Sequence, residues 1–256
     1  MSGNAREPGR STIDRALSLL EVIDTRHLTL TEIAQRAQIP LTTAGRILSA
    51  LESWGGVERS ERGTYQIGLR LWEVGARASA ASTLREAARP AMQRLVETTR
   101  ENVQLAVLDQ SAALVIERLH GSDAVRTVTQ IGRRLPLHAT AVGRVLLAHV
   151  DADLRRAIYA GRLSRYTPYT QVMPGRIEAA LETVRRQGWA YTCEELTLGA
   201  ASLAAPIRDE HDRVVAALGV VARSRIDVAA MSRAVVLAGQ RAAAALRAEN
   251  DAGPAA

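Results

Sequence analysis

The 256-residue chain is 47% hydrophobic and 23% charged, the balance of an ordinary globular protein rather than of a disordered or fibrous one. Its net charge of +6 decides little: residues 1–75 hold nine arginines and nine acids, so the whole excess lies in the later part and locates no DNA-binding region. All 33 basic residues are arginine, which forks onto phosphate or guanine but equally follows from genome composition.

No apolar run approaches the roughly 18 residues that span a bilayer; the longest candidate, 214–222, has the length of a buried strand. The start of the chain is polar and charged, without the apolar core of an export signal. A single cysteine, Cys193, excludes an internal disulfide framework and fits a reducing compartment. The expectation is a soluble, cytoplasmic protein with no membrane partner.

Residues 11–23 carry Ile13, Ala16, Leu17, Leu20 and Ile23 at helical spacing, with Ser11 or Thr12 as the N-cap. Thr31 is expected to open a short helix with Ile33, Ala34 and Ala37 inward. Pro40 has no N–H and biases Ile39 away from helix, which breaks the run. A second helix over 41–54 places Ala44, Ile47, Leu48 and Leu51 on one face. Two short helices around a tight break are what a helix-turn-helix requires. Gly55 and Gly56 stop the second helix, and 57–59 and 64–67 alternate as two strands around a turn at 60–63, with Arg59 and Arg62 near its tip. That ribbon is a wing. Residues 69–80 are expected to be helical and to link two domains.

From Leu84 the texture changes. A helix over 84–99 leads into a hairpin of 103–108 and 113–119, with further strands at 125–130, 189–192, 202–207 and 214–221. Helices are expected over 141–150, 154–160, 176–187 and 227–249. An antiparallel sheet with segregated helices makes this an α+β domain.

Three stretches, LTLTEIAQRAQIPLTTAGRILSALESWG with GTYQIGLRLWEVG, GRRLPLHATAVGRVLLAH, and RRQGWAYTCEELTLGAASLAAPIRD, together resemble the IclR family of bacterial transcription regulators. The third looks like the family signature, here Gly188, Glu195, Ser202 and Asp209. The resemblance covers nearly the whole chain, from about Ser11 to Arg247. It implies a winged helix-turn-helix DNA-binding domain (10–68), a linker helix (69–83) and a GAF-like effector-binding domain (84–250), working as a homodimer or homotetramer.

At the DNA, a recognition helix presents its N-terminal residues to base edges in the major groove. Here those are Leu41, Thr42, Thr43 and Arg46, with Arg59 and Arg62 on the wing. The resemblance places the family's Thr and Arg on Thr43 and Arg46, and Thr31 at the position that caps the preceding helix near a phosphate. Gly45 stands where the family usually carries a larger side chain, often His or Tyr. A dimer implies a near-palindromic double-stranded operator.

For the effector, LPLHATAVG puts Thr140 ahead of a helix whose free N–H groups form an anion site. By resemblance, Ala124, Thr127 and Leu135 form one wall, Ala141, Val142 and Gly143 the anion end, and Thr192, Ser202, Gly219 and Val221 the facing strands. Relatives that bind small keto-acids use hydroxyls near Gly219 and Val221. Their loss here implies a roomier, drier pocket and therefore an aromatic or largely apolar carboxylic acid.

Two rival readings stay open. Cys193 beside Glu194 and Glu195 suggests a nucleophile, but the five histidines fall in unrelated segments and a lone cysteine is usually a small buried side chain. The sensor domain could instead bind a protein partner. No Cys/His cluster has metal-ligand spacing and no Gly-rich phosphate loop is present, so neither a metal nor a cofactor is expected.

Overall fold

The computed structural model describes residues 11–23, 27–77, 79–123, 125 and 129–252. The chain divides into two compact units, 1–79 and 80–256.

In the first unit, α1 (Thr12–Val22) starts at a capping box in which the Ser11 hydroxyl accepts from Asp14 N and the Asp14 side chain accepts from Ser11 N. Its inward face matches the expected one in part: Ile23 is buried and Ala16 and Leu20 pack against the core, but Leu19 is fully buried while Ile13 and Leu17 stay 69% and 54% exposed. The 3.6-residue period fits both stripes, and contact with the next two helices selects Leu19. A short strand, β1 (Leu28–Thr29), then leads directly into α2 (Leu30–Ala37). Gln38 closes α2 in the left-handed region (φ 56°), and α3 (Leu41–Trp54) follows, burying Ala44, Ile47 and Leu48. The wing strands β2 (Val57–Arg59) and β3 (Thr64–Ile67) pair antiparallel, and β1 adds to β3 as a third strand that sequence did not suggest. Where the ribbon returns to the helix end, Gly68 is required: a β-carbon there would lie 2.3 Å from Gly55 O.

The expected single linker helix is two elements, α4 (Leu69–Ala76) and α5, whose 21 residues run from Ser79 to Thr99 and so absorb the helix expected from 84. The second unit is built on one antiparallel sheet in the order β6-β5-β4-β9-β8-β7. Its strands are β4 (Asn102–Asp109), β5 (Ala112–Leu119), β6 (Arg134–Pro136), β7 (Ala190–Cys193), β8 (Ala200–Arg208) and β9 (Val214–Arg223). The strand expected over 125–130 is not found: Val125, Thr129 and Gln130 are not in a strand, and 126–128 lie outside the described residues. The short edge strand β6 takes the place beside β5 instead.

Helices cover both faces of the sheet. On one, α5 and α9 (Val228–Ala252) pack on Val103, Leu105, Leu203, Ala205, Leu218 and Val220. On the other, α6 (Ala141–Ala148) and α8 (Pro174–Gln187) pack on Ala106, Ala204 and Ala217, with α7 (Ala152–Ala160) flanking them. Strand alternation sorts the two cores. Along β9, Leu218 and Val220 face α5 and α9, while Ala217, Gly219 and Val221 face α6. This mixture of helix and antiparallel sheet is the α+β architecture expected.

Candidate functional site

Two helix N-termini stand out, one in each unit. At α3 the N-cap is Pro40, which offers no side-chain bond. Its carbonyl accepts from Ala44 N at 2.9 Å, and the N–H groups of Leu41, Thr42 and Thr43 point out of the helix start with no acceptor among the described residues. Leu41 is 49% exposed, Thr42 and Arg46 are exposed, and Thr43 is half-buried. The positive end of a 14-residue helix is therefore presented to solvent beside an arginine and two hydroxyls. Gly45 sits in the next turn. A β-carbon there would meet only Leu30 Cδ2, at 3.6 Å, so the fold does not require glycine.

Thr31 is not the cap of α2. Thr29 is: its hydroxyl accepts from Glu32 N at 3.4 Å, and Glu32 returns a carboxylate to Thr29 N at 2.8 Å. The Thr-x-x-Glu spacing carries that signal in the sequence. Thr31 lies two residues further on, exposed, its hydroxyl bonded to no described residue. On the wing, Arg59 is drawn back over the Tyr65 ring, 5.6 Å from its centroid. Arg62 is exposed in the turn, which the Ser60 N to Thr64 O bond closes at 2.8 Å. Arg59 is thus a strand-end residue packed on an aromatic ring, and Arg62 alone of the two occupies the tip.

The second site lies between α6 and the sheet, around a cavity of about 40 Å³. Of the residues expected there, Leu135, Thr140, Ser202 and Val221 line it. Ala124 and Thr127 lie outside the described residues. Thr140 caps α6, its hydroxyl accepting from Gly143 N at 3.1 Å and donating to Pro136 O at 2.9 Å. Ser202 Oγ accepts from Ala141 N at 3.4 Å and shares a 2.7 Å hydrogen bond with Thr192 Oγ1. Val142 N–H is left as the one first-turn donor of α6 with no acceptor among the described residues.

Gly219 corrects the expectation of a roomier pocket. A β-carbon there would fall 2.8 Å from Val142 Cγ1, so Val142 already fills the space that the missing side chain leaves. Val142 and Gly143 are likewise packed rather than pocket-facing: both are buried, and a β-carbon on Gly143 would sit 2.6 Å from the Leu137 backbone.

Several lining residues carried no expectation, among them Gln104, Thr129, Leu196 and Thr197. Gln104 is 3% exposed, yet its Oε1 has no hydrogen-bond partner among the described residues. A glutamine inside the otherwise apolar run Val103–Leu108 was the available signal. Its cross-strand neighbour Arg118 donates to Thr129 O and, at 3.3 Å, to Asn102 Oδ1, tying the 129 segment beside the cavity.

The signature residues are mostly framework. Gly188 ends α8 in the left-handed region at φ 79°. Glu195 accepts from Arg144 Nη2 at 2.7 Å in a buried ion pair, and Arg144 Nε also donates to His138 O at 3.0 Å. Asp209 accepts from His211 N and Arg213 N, both at 2.9 Å, across the turn between β8 and β9. Burial holds the His138 imidazole below its ordinary value, opposed by the bond of Nε2 with Ser164 O at 3.0 Å. Burial does the same at His149. Cys193 lies half-buried in a separate, open cleft of about 510 Å³ with Arg144, Tyr169, Gln171 and Tyr191, and no histidine lines that cleft among the described residues. Also among the described residues, no helix is long and apolar enough to cross a membrane.

Comparison with known proteins agrees with this geometry. Residues 12–61 match the IclR helix-turn-helix domain, and residues 77–246 match the bacterial transcriptional regulator IclR C-terminal domain. The chain is 34% identical to the HTH-type transcriptional regulator BhcR of Paracoccus denitrificans, over 96% of this chain and 90% of that one. It is 33% identical to the transcriptional repressor IclR of Escherichia coli, covering 82% of this chain and 78% of the repressor. Among solved structures it is similar to an IclR homologue from Microbacterium hydrocarbonoxydans complexed with 4-hydroxybenzoate, with a TM-score of 0.87 and 32% identity, covering 93% of this chain and all of the other. The chain belongs to the IclR family and is a DNA-binding transcriptional regulator of the helix-turn-helix type.

Proposed function

We propose that this regulator binds a near-palindromic operator as a homodimer and that a small organic acid held in the second unit sets its operator affinity. It acts by binding rather than by catalysis, in the cytoplasm. Leu41, Thr42, Thr43 and Arg46 read the major groove, Thr31 contacts a phosphate, and Arg62 follows the backbone from the wing, with Arg59 behind it. Exposed apolar residues support self-association: Leu69 and Trp72, three apart on α4, are 73% and 69% exposed, and Ile13 and Leu17 are four apart on α1. Tetramers through the second unit are a further assembly of the same chain.

The observation that carries the effector reading is the cavity at the start of α6, where Thr140, Ser202, Leu135 and Val221 converge. An acid group seated there meets the Thr140 and Ser202 hydroxyls at the positive end of a helix, while Leu135, Leu196 and Val221 suit an apolar body. Binding of 4-hydroxybenzoate by the Microbacterium homologue supports an aromatic acid as the class. The cavity is small, so the ligand must enlarge it, which gives the differential affinity that coupling to DNA binding requires.

A thermal-shift and calorimetric screen of aromatic and aliphatic monocarboxylic acids on the full chain tests this. A true effector at 100 times its dissociation constant adds about 2.7 kcal/mol of stability. Ser202→Ala, which removes the hydroxyl without adding bulk to the cavity wall, should weaken that ligand about tenfold and leave ligand-free operator affinity intact. Equal ligand affinity in the variant would remove Ser202 from the site.

A further inference from the structure

The acid end of the cavity is largely engaged with the protein itself; the opposite end is not. Gln104 on β4 is cross-strand to Gly219 on β9, which is cross-strand to Ala204 on β8. Ser202 lies on β8 beside Val221. Gln104 therefore stands two strands across and two residues along from Ser202 on the same face of the sheet, about 12 Å away. Between them the cavity wall is the apolar Val221, while the space over Gly219 is taken by Val142.

A buried amide oxygen without a partner is costly, because the group has left water and gained nothing in return. Glutamine is not needed here to fill space, since methionine has nearly the same shape. Nor does Gln104 join the polar network of its neighbours: Arg118 and Asn102 bond to each other and to the backbone at Thr129 and Val125. What remains is a role toward whatever occupies the cavity.

We propose that Gln104 is the specificity-determining residue of this site, and that the effector is an aromatic monoacid bearing a hydrogen-bond donor, such as a hydroxyl, on the side of the ring away from its carboxylate. This rests on the organic-acid reading above and adds the far end of the ligand. The carboxylate faces the start of α6; the distal hydroxyl donates to Gln104 Oε1. An acid of the same size lacking the donor leaves that oxygen buried and unpaired, so discrimination arises from the rejected ligand rather than from extra contact area.

Calorimetry on the full-length protein with 4-hydroxybenzoate and 4-methylbenzoate, which match in size and differ in the donor, tests the assignment. Wild type should prefer the hydroxylated acid by about tenfold or more, and Gln104→Met should bring the ratio to about one or below while still binding 4-methylbenzoate. Ligand-free operator binding by the variant confirms that it is folded; if it is lost, Gln104→Leu replaces it. In wild type, the side-chain amide resonances of Gln104 should shift with 4-hydroxybenzoate and stay unmoved with 4-methylbenzoate. A variant that keeps the preference, or a wild type that shows none, overturns the role of Gln104 and leaves the organic-acid reading standing. Failure of wild type to bind either acid overturns both.

Discussion

The N-termini of α3 and α6 use the same helix-end chemistry in opposite ways. At α3 the end is uncapped and exposed, with Pro40 giving no side chain and Leu41, Thr42 and Arg46 open to solvent. At α6 the end is capped by Thr140, every residue of the helix is buried, and Ser202 already leans on Ala141 N. The difference fits the partner proposed for each end. A DNA duplex is a large, preformed polyanion that must reach its contacts from outside, so the donors must be left open. A small acid is bound by enclosure, so its donors sit in the core, where an unpaired group is costly and internal bonds hold most of them until the ligand arrives.

Two glycines near these ends offer the sharpest way to break the comparison. Gly143→Ala should be the most damaging change, since its β-carbon would lie 2.6 Å from the Leu137 backbone, which cannot swing aside. A loss of about 1–3 kcal/mol in denaturant unfolding is expected, with effector binding lost too. An alanine variant as stable as wild type would mean that the start of α6 is looser than its packing implies.

Arg46→Ala comes next and acts on the other helix. It should weaken specific operator binding by about 1–3 kcal/mol with no change in melting temperature, because Arg46 is exposed and takes part in no ion pair among the described residues. Unchanged footprinting would remove it from the interface.

The third prediction separates the units by pH. Burial depresses His138 and His149 in the second unit, so folding favours their neutral forms. A depressed pKa contributes stability that is present above the unfolded value, near 6.5, and is lost as pH falls through the folded value. The melting temperature of the second unit should therefore decline below about pH 6.5, and His138→Asn should flatten that decline. A flat profile down to pH 5 in wild type would contradict it.

Gly45→Ala should have the smallest effect and the opposite sign. With only Leu30 Cδ2 at 3.6 Å in its way, the new methyl should stabilise the protein by about 0.5–1 kcal/mol. If operator affinity falls at the same time, the glycine serves close approach of the helix to DNA. If it does not, nothing at the interface needs it.

Legibility from sequence divides along the same line. The α3 end was readable because breakers and periodicity mark it: Pro40 before, Gly55 after, and Ala44, Ile47 and Leu48 between. The cap of α2 was misplaced by two residues, on Thr31 rather than Thr29, although the Thr29–Glu32 spacing states it. Around the cavity, Thr140 follows from its place ahead of a helix start and Leu135, Ser202 and Val221 from resemblance, and all four line its wall. Gly219 was misread because the occupant of its missing side chain, Val142, is remote in sequence and only tertiary packing brings them together. Gln104 was overlooked because a strand pattern tests for apolar residues and passes over the polar one that interrupts them.

The division of labour between the signature residues and the cavity wall bears on how such a regulator changes over evolutionary time. Gly188, Glu195 and Asp209 turn the chain, latch Arg144 and close the β8–β9 turn, so a mutation at any of them strikes the frame. Leu135, Leu196 and Val221 make no side-chain hydrogen bonds; they face the cavity and can be exchanged for other apolar residues at little cost to folding. With the effector seated as proposed, a lineage can explore new ligands by drifting along the cavity wall while its DNA-binding half stays committed to the same operator.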